Sequence, residues 1–274
     1  MYRFLVFCDM KRILTLVLAA AMLASCANFN PAYLLQGGAK LAQAASLSDA
    51  EIQAYVSQYV AQLDAQNTVL PESSPYVKRV RKMTSRLTEV DGVPLTFKVY
   101  QTKDVNAFAC ADGNVRIYTG LLDAMTDDEV LGVVGHEIGH VALKHSKKQF
   151  QQALLTSAVR DAIVSTGGTV AVLTASQLGD LGETLMSAKF SRKQESEADD
   201  FGYEFLKAAG KNPWAMAMAF ETLQALSSGG TASGTQGASG SIGTLFSSHP
   251  ATQTRIDNMA ARATADGFKR PARK

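Results

Sequence analysis

His136-Glu137-Ile138-Gly139-His140, in the middle of a 274-residue chain, has the spacing HExxH within a run that has the apolar pattern of a helix. Four positions apart on a helix, two imidazoles lie one turn above each other and can share one metal ion. Glu137 lies between them, where the general base of a metal-dependent hydrolase is found. The alternative is a surface helix with two incidental His residues, and the apolar residues on both sides argue against it.

The neighbouring residues support a helix that packs closely against another element. Thr126 and Glu129 have the spacing of a capping box, so the helix is predicted to begin after Thr126. Gly132, Gly135 and Gly139 recur along it, although each costs about 1 kcal/mol relative to Ala. This row of glycines predicts that another backbone approaches the helix.

A hydrolytic metal site needs a third protein ligand and leaves its fourth position open. His145 is the nearest candidate, but it is five residues past His140 and is expected to point elsewhere on the helix. Glu195 and Asp199 are better candidates because they are four residues apart and share one helical face. Glu195 is expected to bind the metal, and Asp199 to accept a hydrogen bond from a ligand His. A solvated acidic helix face is the alternative for this pair.

Several motifs together resemble those of the M48 zinc metallopeptidases, which include the Ste24, HtpX and Oma1 types. They are HExxH at 136–140, Phe-Ser-Arg with Glu-x-x-x-Asp at 190–199, Asn-Ala-Phe-Ala at 106–109, Ile-Tyr-Thr-Gly-Leu-Leu at 117–122 and His-Pro-x-x-x-x-Arg-Ile at 249–256. The resemblance covers residues 47–263. It implies an α+β fold, a mostly helical zincin domain of the gluzincin type, with a small β-sheet beside the HExxH helix.

The resemblance also implies a zinc endopeptidase with one Zn²⁺ ion per chain, held by His136, His140 and Glu195. Glu137 is then the general base. An extended or unfolded polypeptide is expected to bind as an added strand, which favours backbone recognition over a particular sequence. The residues expected to bind it are Asn106, Ala107, Phe108, Ala109 and Cys110.

His249 follows a Ser- and Gly-rich stretch, residues 227–243, that is flexible by composition. It has two candidate roles in catalysis. It can donate a hydrogen bond to the oxyanion of the tetrahedral intermediate, with Arg255 beside it. It can also occupy the open metal position until substrate displaces it. A structural His at a helix start, packed beside Pro250, is the third possibility.

The N-terminal residues 1–25 have the pattern of a lipoprotein signal peptide. Lys11 and Arg12 precede an apolar run that is too short to span a bilayer, and the run ends in Leu-Ala-Ser-Cys26, which resembles a bacterial lipobox. The pattern implies lipidation of Cys26, which gives a stable membrane anchor. Ala27 stands where inner-membrane lipoproteins typically have Asp, so the expected location is the periplasmic face of the outer membrane. An ordinary signal peptide with a chance Cys is the alternative.

Charge and cysteine content restrict the partners. Without residues 1–26 the chain has 24 basic and 24 acidic residues, and no nucleic-acid partner is expected. The expected partners are polypeptide substrates, the membrane through the anchor, and outer-membrane protein assembly factors. Cys110 is the one remaining cysteine, so no intramolecular disulfide is expected. It is predicted to be a buried small residue, a thiol near the cleft or an intermolecular link, with burial preferred.

The domain order follows from these segments. Residues 26–46 are predicted to be the lipidated Cys and a tether, 47–263 the catalytic domain, and 264–274 a disordered basic tail. The stretch 158–175 is predicted to be a helical hairpin, because its uncharged part is too short for a transmembrane helix. Further helices are predicted at 47–63, 76–87, 149–165, 177–189, 194–209 and 213–227, and strands at 95–100, 108–110 and 115–118, with a turn at Asp112-Gly113.

The sequence therefore predicts a zinc endopeptidase that hydrolyses unfolded or misassembled envelope proteins. The alternative is a catalytically silent lipoprotein of the same fold that acts as a chaperone or adaptor for outer-membrane proteins. The complete set of catalytic residue types argues against it. An integral-membrane protease is disfavoured because the spans it needs are missing.

Overall fold

The computed structural model of the chain describes residues 47–156, 170–229 and 248–272. The architecture is α+β and mostly helical, as predicted. The helices are α1 Asp49–Gln66, α2 Pro75–Thr84, α3 Thr119–Ala124, α4 Asp127–Ala142, α5 His145–Thr156, α6 Ala175–Ser187, α7 Arg192–Ala208, α8 Trp214–Gly229 and α9 Gln253–Ala265. The strands are β1 Glu89–Val90, β2 Val93–Pro94, β3 Thr96–Tyr100, β4 Ala107–Ala109 and β5 Asn114–Tyr118.

Three strands form a mixed sheet in the order β3-β5-β4, with β3 parallel and β4 antiparallel to β5. The predicted Asp112-Gly113 turn joins β4 to β5, and Gly113 adopts the left-handed conformation (φ 82°) that favours glycine. The amide of Cys110 bonds to Asn114 within this hairpin. Given the alternation of an antiparallel ladder, the backbone groups of Ala107 and Ala109 point away from β5. The strand β4 therefore offers an edge to a further strand.

The core is built around α4, which is buried at every residue from Glu129 to Val141. Its N-cap Thr126 forms the predicted capping box with Glu129. The helix packs against α7 where two glycines meet. A methyl group on Gly135 would lie 3.2 Å from the Cα of Gly202. The row of glycines thus marks a close helix–helix approach, as predicted, and this approach fixes the spacing between α4 and α7.

A second apolar cluster joins α1, α5, α6 and the segment 171–173. Asp64 on α1 connects this cluster to the sheet, because its carboxylate accepts hydrogen bonds from Arg116, Lys98 and Tyr100. Arg116 lies on the central strand and is only 1% exposed. Burial raises the pKa of Asp64, but the hydrogen bonds from Arg116, Lys98 and Tyr100 outweigh it and lower the pKa to about 2.

The structure differs from the sequence prediction at several places. The motif at 117–122 is a strand only to Tyr118, and its remaining residues begin α3. Residues 170–174, expected in a helical hairpin, are not helical. The short β1–β2 hairpin and α9 were not predicted. The C-terminal tail is not disordered over 266–270, because Trp214 donates to the carbonyl of Phe268 and Arg270 pairs with Glu221. Docking against α8 fixes this stretch.

Other predictions fall outside the described residues. These are the signal peptide, Cys26, the tether to residue 46, most of the Ser- and Gly-rich stretch, and residues 157–169 of the hairpin. Among the described residues, no helix has both the length and the apolar character to cross a bilayer.

Candidate metal centre

Four buried side chains meet at one point between α4, α7 and the segment before α9. The helix α4 carries His136 and His140, α7 carries Glu195, and His249 comes from the residues leading into α9. One ligand atom from each lies within 4.8 Å of all the others. His249 therefore joins the three ligands expected from the sequence.

The distances between these atoms fit a small tetrahedral cation. The Nε2 atom of His136 lies 3.1 Å from Nε2 of His140 and 3.2 Å from Nδ1 of His249. The Oε1 atom of Glu195 lies 2.8 Å from that Nδ1 and 3.5 Å from Nε2 of His140. Ligands about 2.0 Å from a tetrahedral zinc ion lie roughly 3.3 Å from each other. Imidazole and carboxylate ligands are also the set that zinc prefers.

Glu137 faces the same point, and one of its two carboxylate oxygens has no hydrogen-bond partner among the described residues. This Oε1 atom is buried and lies 3.7 Å from Nε2 of His249. A buried carboxylate oxygen without a partner is rare and implies a missing polar ligand. The site thus has room for a polar group beside Glu137.

The protonation states also suit a metal. Burial lowers the pKa of His140 to about 3, which keeps the imidazole neutral at pH 7. Burial raises the pKa of Glu195, but the neighbouring imidazoles of His140 and His249 outweigh it and hold that pKa far below its usual range. Metal ligands must be neutral imidazoles and ionised carboxylates, and His140 and Glu195 meet these conditions.

Asp199 and Arg255 support the ligands from behind. The Oδ1 atom of Asp199 lies 2.9 Å from Nδ1 of His136, so this carboxylate can hold the imidazole with Nε2 toward the centre. Arg255 donates to Asp199 at 2.8 and 2.5 Å, and its Nη1 lies 2.7 Å from Oε2 of Glu195. Its guanidinium also lies over the ring of Phe220, 4.4 Å from the centroid. Arg255 thus links the C-terminal helix to both acidic residues.

The expected orientation of His145 is wrong. The helix α4 ends at Ala142 and Lys144 turns the chain, so His145 starts a new helix and folds back. Its Nδ1 atom lies 3.1 Å from Nδ1 of His140. Phe190 is a second neighbour of His140, stacked at 3.9 Å between ring centroids. The contact between His145 and His140 depends on the end of the helix at Ala142, and no feature of the sequence pattern predicts that the helix ends there.

A cavity runs from the centre along the outer edge of β4. Cys110 lines it and is half-buried, and burial raises the pKa of its thiol. Of the three positions left open for this cysteine, the structure supports a thiol in the cleft wall. The hydroxyl of Ser146 on α5 donates to the carbonyl of Ala109 at 3.4 Å. The other walls are formed by Tyr59, Leu63, Phe150, Leu185 and Phe190.

A helix with HExxH, a carboxylate on a second helix and an edge strand beside them define a metallopeptidase of the zincin class. The model of peptidase family M48 matches residues 71–263 of the chain. The chain therefore belongs to peptidase family M48. It is a zinc-dependent metalloendopeptidase, whose substrates are polypeptides.

Curated relatives agree with this assignment over most of the chain. The metalloprotease LoiP of Escherichia coli K12 is 43% identical over 260 residues, which are 94% of this chain and 99% of that protein. The metalloprotease YcaL of the same organism is 40% identical over 256 residues, 92% of this chain and 96% of that protein. A Vibrio cholerae relative, named as a beta-barrel assembly-enhancing protease, is 30% identical over 140 residues, 47% of this chain and 28% of that protein.

Proposed function

We propose that this metallopeptidase cleaves unfolded or misassembled proteins of the cell envelope and is anchored to the outer membrane. The observation that carries the proposal is the juxtaposition of the buried ligand cluster, the Oε1 atom of Glu137, which accepts no hydrogen bond from the described residues, and the open edge of β4. Support for the envelope role comes from the lipobox-like sequence and from the name of the Vibrio relative, which refers to beta-barrel assembly.

We assign the metal ligands as His136, His140 and Glu195, and Glu137 as the general base. A zinc ion held by these three residues would lower the pKa of a bound water and polarise the scissile carbonyl. Glu137 then accepts the proton of the attacking water and passes it to the leaving amine. Asp199 keeps the proton of His136 on Nδ1, so that Nε2 is free to bind.

The substrate backbone is expected to pair with β4. The N–H groups of Ala107 and Ala109 and the carbonyl of Ala107 border the cavity, while the carbonyl of Ala109 already accepts from Ser146. A chain bound at this edge would extend past Glu137. Backbone pairing requires an extended segment about five residues long or more, which a folded domain does not present. This requirement favours unfolded or misassembled proteins as substrates.

His249 is better placed to block the centre than to stabilise an oxyanion. Its Nδ1 atom takes the fourth place in the ligand cluster, and the side chain is 8% exposed. We therefore propose that His249 is a gate that substrate must displace.

Arg255 serves as a positioning residue in this proposal. Its nitrogens contact Asp199, Glu195 and the carbonyl of Pro250, which leaves none of them directed at a substrate oxyanion. We propose that Arg255 contributes to catalysis by holding the two carboxylates, and not by contact with the substrate.

The anchor and location are proposed from the sequence alone. Lipidation of Cys26 and the following Ala27 favour the periplasmic face of the outer membrane. Contact with outer-membrane protein assembly factors is part of the same proposal. Release of the full chain from membranes by detergent but not by high salt is expected. Release by salt alone would contradict the lipid anchor.

The activity test compares the wild-type chain with Glu137→Gln, both loaded with zinc, on an unfolded protein. Cleavage by the wild type alone is expected, because the Gln variant keeps the ligands and loses the base. A second comparison tests the β4 edge. Ala109→Pro removes an outward N–H without touching the ladder to β5, and should raise KM for an unfolded substrate. Equal cleavage by Glu137→Gln would contradict the assignment of the base.

A further inference from the structure

His145 and its neighbours form a chain of side chains that reaches from the metal centre to the surface. The Nδ1 atoms of His140 and His145 face each other at 3.1 Å. The Nε2 atom of His145 lies 3.2 Å from Oε2 of Glu197, whose side chain is 41% exposed. His145 itself is buried. The arrangement is directional, because each ring can use only one nitrogen toward each neighbour.

The positions of the hydrogen atoms along this row of side chains follow from one requirement. The Nε2 atom of His140 points into the ligand cluster, so it must be unprotonated to bind a metal, and the proton of the neutral ring is then on Nδ1. Two Nδ1 atoms 3.1 Å apart cannot both carry protons. His140 therefore donates, and Nδ1 of His145 accepts. The remaining proton of His145 lies on Nε2, where it is directed at Glu197.

A strained turn places His145 in this position. Lys144 adopts a left-handed conformation (φ 60°), which is uncommon for a residue other than glycine. The turn ends α4 and starts α5, so that His145 returns to His140 instead of continuing around the helix. Without this turn the fifth residue after His140 would lie on another face. Backbone strain at Lys144 therefore accompanies the contact between His145 and His140.

We infer that His145 is a positioning residue, which fixes the tautomer and ring orientation of His140 by accepting its Nδ1 hydrogen bond. It does for His140 what Asp199 does for His136. The two ligands on α4 then have different supports, an ionised carboxylate for one and a neutral imidazole for the other. The inference rests on the ligand set proposed above.

Two isosteric substitutions separate the two nitrogens of His145. In His145→Asn the side-chain oxygen stands where Nδ1 stood and can still accept from His140. In His145→Gln the amide reaches the position of Nε2 and the acceptor at the δ position is lost. Loss of a hydrogen bond behind a metal ligand typically weakens metal binding about 10–100-fold. We expect a loss of that size for His145→Gln, and a change within about threefold for His145→Asn.

The measurement is the zinc dissociation constant of the purified full chain by competition with a chelator, together with the visible absorption of the cobalt-substituted protein. His145→Gln should also shift the cobalt bands, since His140 turns. Lys144→Gly is the matched control, because glycine keeps the left-handed turn, and it should bind zinc within twofold of the wild type. Thermal unfolding of each zinc-free variant establishes that it is folded.

Equal zinc affinity of the Asn and Gln variants, or tighter binding by the Gln variant, would overturn the inference. If His145→Gln does not fold, the zinc affinity of His145→Asn alone tests the inference. A loss of zinc affinity of tenfold or more in His145→Asn would contradict an acceptor role for the δ position of residue 145. Failure of the ligand set is distinguishable, because the wild type would then bind zinc no more tightly than Glu195→Gln does.

Discussion

Removal of the imidazole at position 249 should activate the enzyme. In the structure, Nδ1 of His249 lies 2.8 Å from Oε1 of Glu195, and the ring lies beside the stacked pair of His140 and Phe190, with centroids 5.0 and 5.2 Å away. A substrate that reaches Glu137 must displace this ring. The basal rate then depends on how often His249 leaves its place.

The size of the effect follows from the contact that is broken. A hydrogen bond to a charged group contributes about 1.5–3 kcal/mol. This range is already net of hydration of the separated groups, and we take a value near its middle, about 2 kcal/mol, as the free energy of opening. This corresponds to roughly one open molecule in 30. His249→Ala should therefore raise kcat/KM on an unfolded protein by about 10- to 30-fold.

The assay follows the release of fluorescence from a labelled unfolded protein at substrate concentrations well below KM. Gln253→Ala is the control, since it alters an exposed residue of the same segment and should leave the rate unchanged. A loss of more than about tenfold in His249→Ala would refute the gate. It would instead assign His249 to stabilising the oxyanion, since removing one such donor costs about that much or more.

Three further predictions concern stability and metal content. Asp64→Asn should lower the free energy of unfolding at pH 7 by about 3 kcal/mol, because it leaves the buried Arg116 without its counter-charge; urea unfolding measures this. The pKa of Asp64 in the folded state is depressed to about 2, so its stabilising contribution to the free energy of unfolding is complete above about pH 4 and is lost as the pH falls toward 2. The difference in free energy of unfolding between the wild type and the variant should therefore shrink over that range. Gly113→Ala should destabilise far more than Gly92→Ala: both glycines have positive φ, but a methyl on Gly113 would lie 2.0 Å from the carbonyl oxygen of Pro94, whereas Gly92 has open space. Chelation of zinc should abolish peptidase activity and lower the thermal unfolding midpoint, and added zinc should restore both.

Specific outcomes would contradict each of these. A constant difference between wild type and Asp64→Asn from pH 5 to pH 2 would show that the carboxylate is not what titrates. Equal unfolding midpoints for the Gly113→Ala and Gly92→Ala variants would show that the approach of Pro94 is not tight. Full activity in excess chelator would exclude the proposed ligand set.

The metal centre was largely predictable because its residues are constrained locally. His136, Glu137 and His140 are on one helix, and Glu195 and Asp199 on another, so helical spacing alone pairs them. The capping box of Thr126 and Glu129 predicted where α4, the helix with HExxH, begins. These features depend on residues within two helical turns of each other, and such short-range patterns can be recognised in the sequence.

The parts that were not predicted depend on distant contacts or on a single backbone angle. The parallel pairing of β3 with β5 has no local signature, and neither does the burial of Arg116, which requires Asp64 from 52 residues earlier. The return of His145 depends on the left-handed conformation of Lys144. Lysine is an unusual residue for that conformation, so the residue type at position 144 favours continuation of the helix and not a turn.

The separation of Arg255 from the two acidic residues along the sequence has a consequence for assembly of the centre. The carboxylates of Glu195 and Asp199 are buried on α7, and the guanidinium that pairs with both of them comes from α9. Packing of α7 into the core without α9 would leave the two acidic groups without that counter-charge, which is strongly unfavourable. Formation of the acidic half of the centre is therefore coupled to the docking of α9.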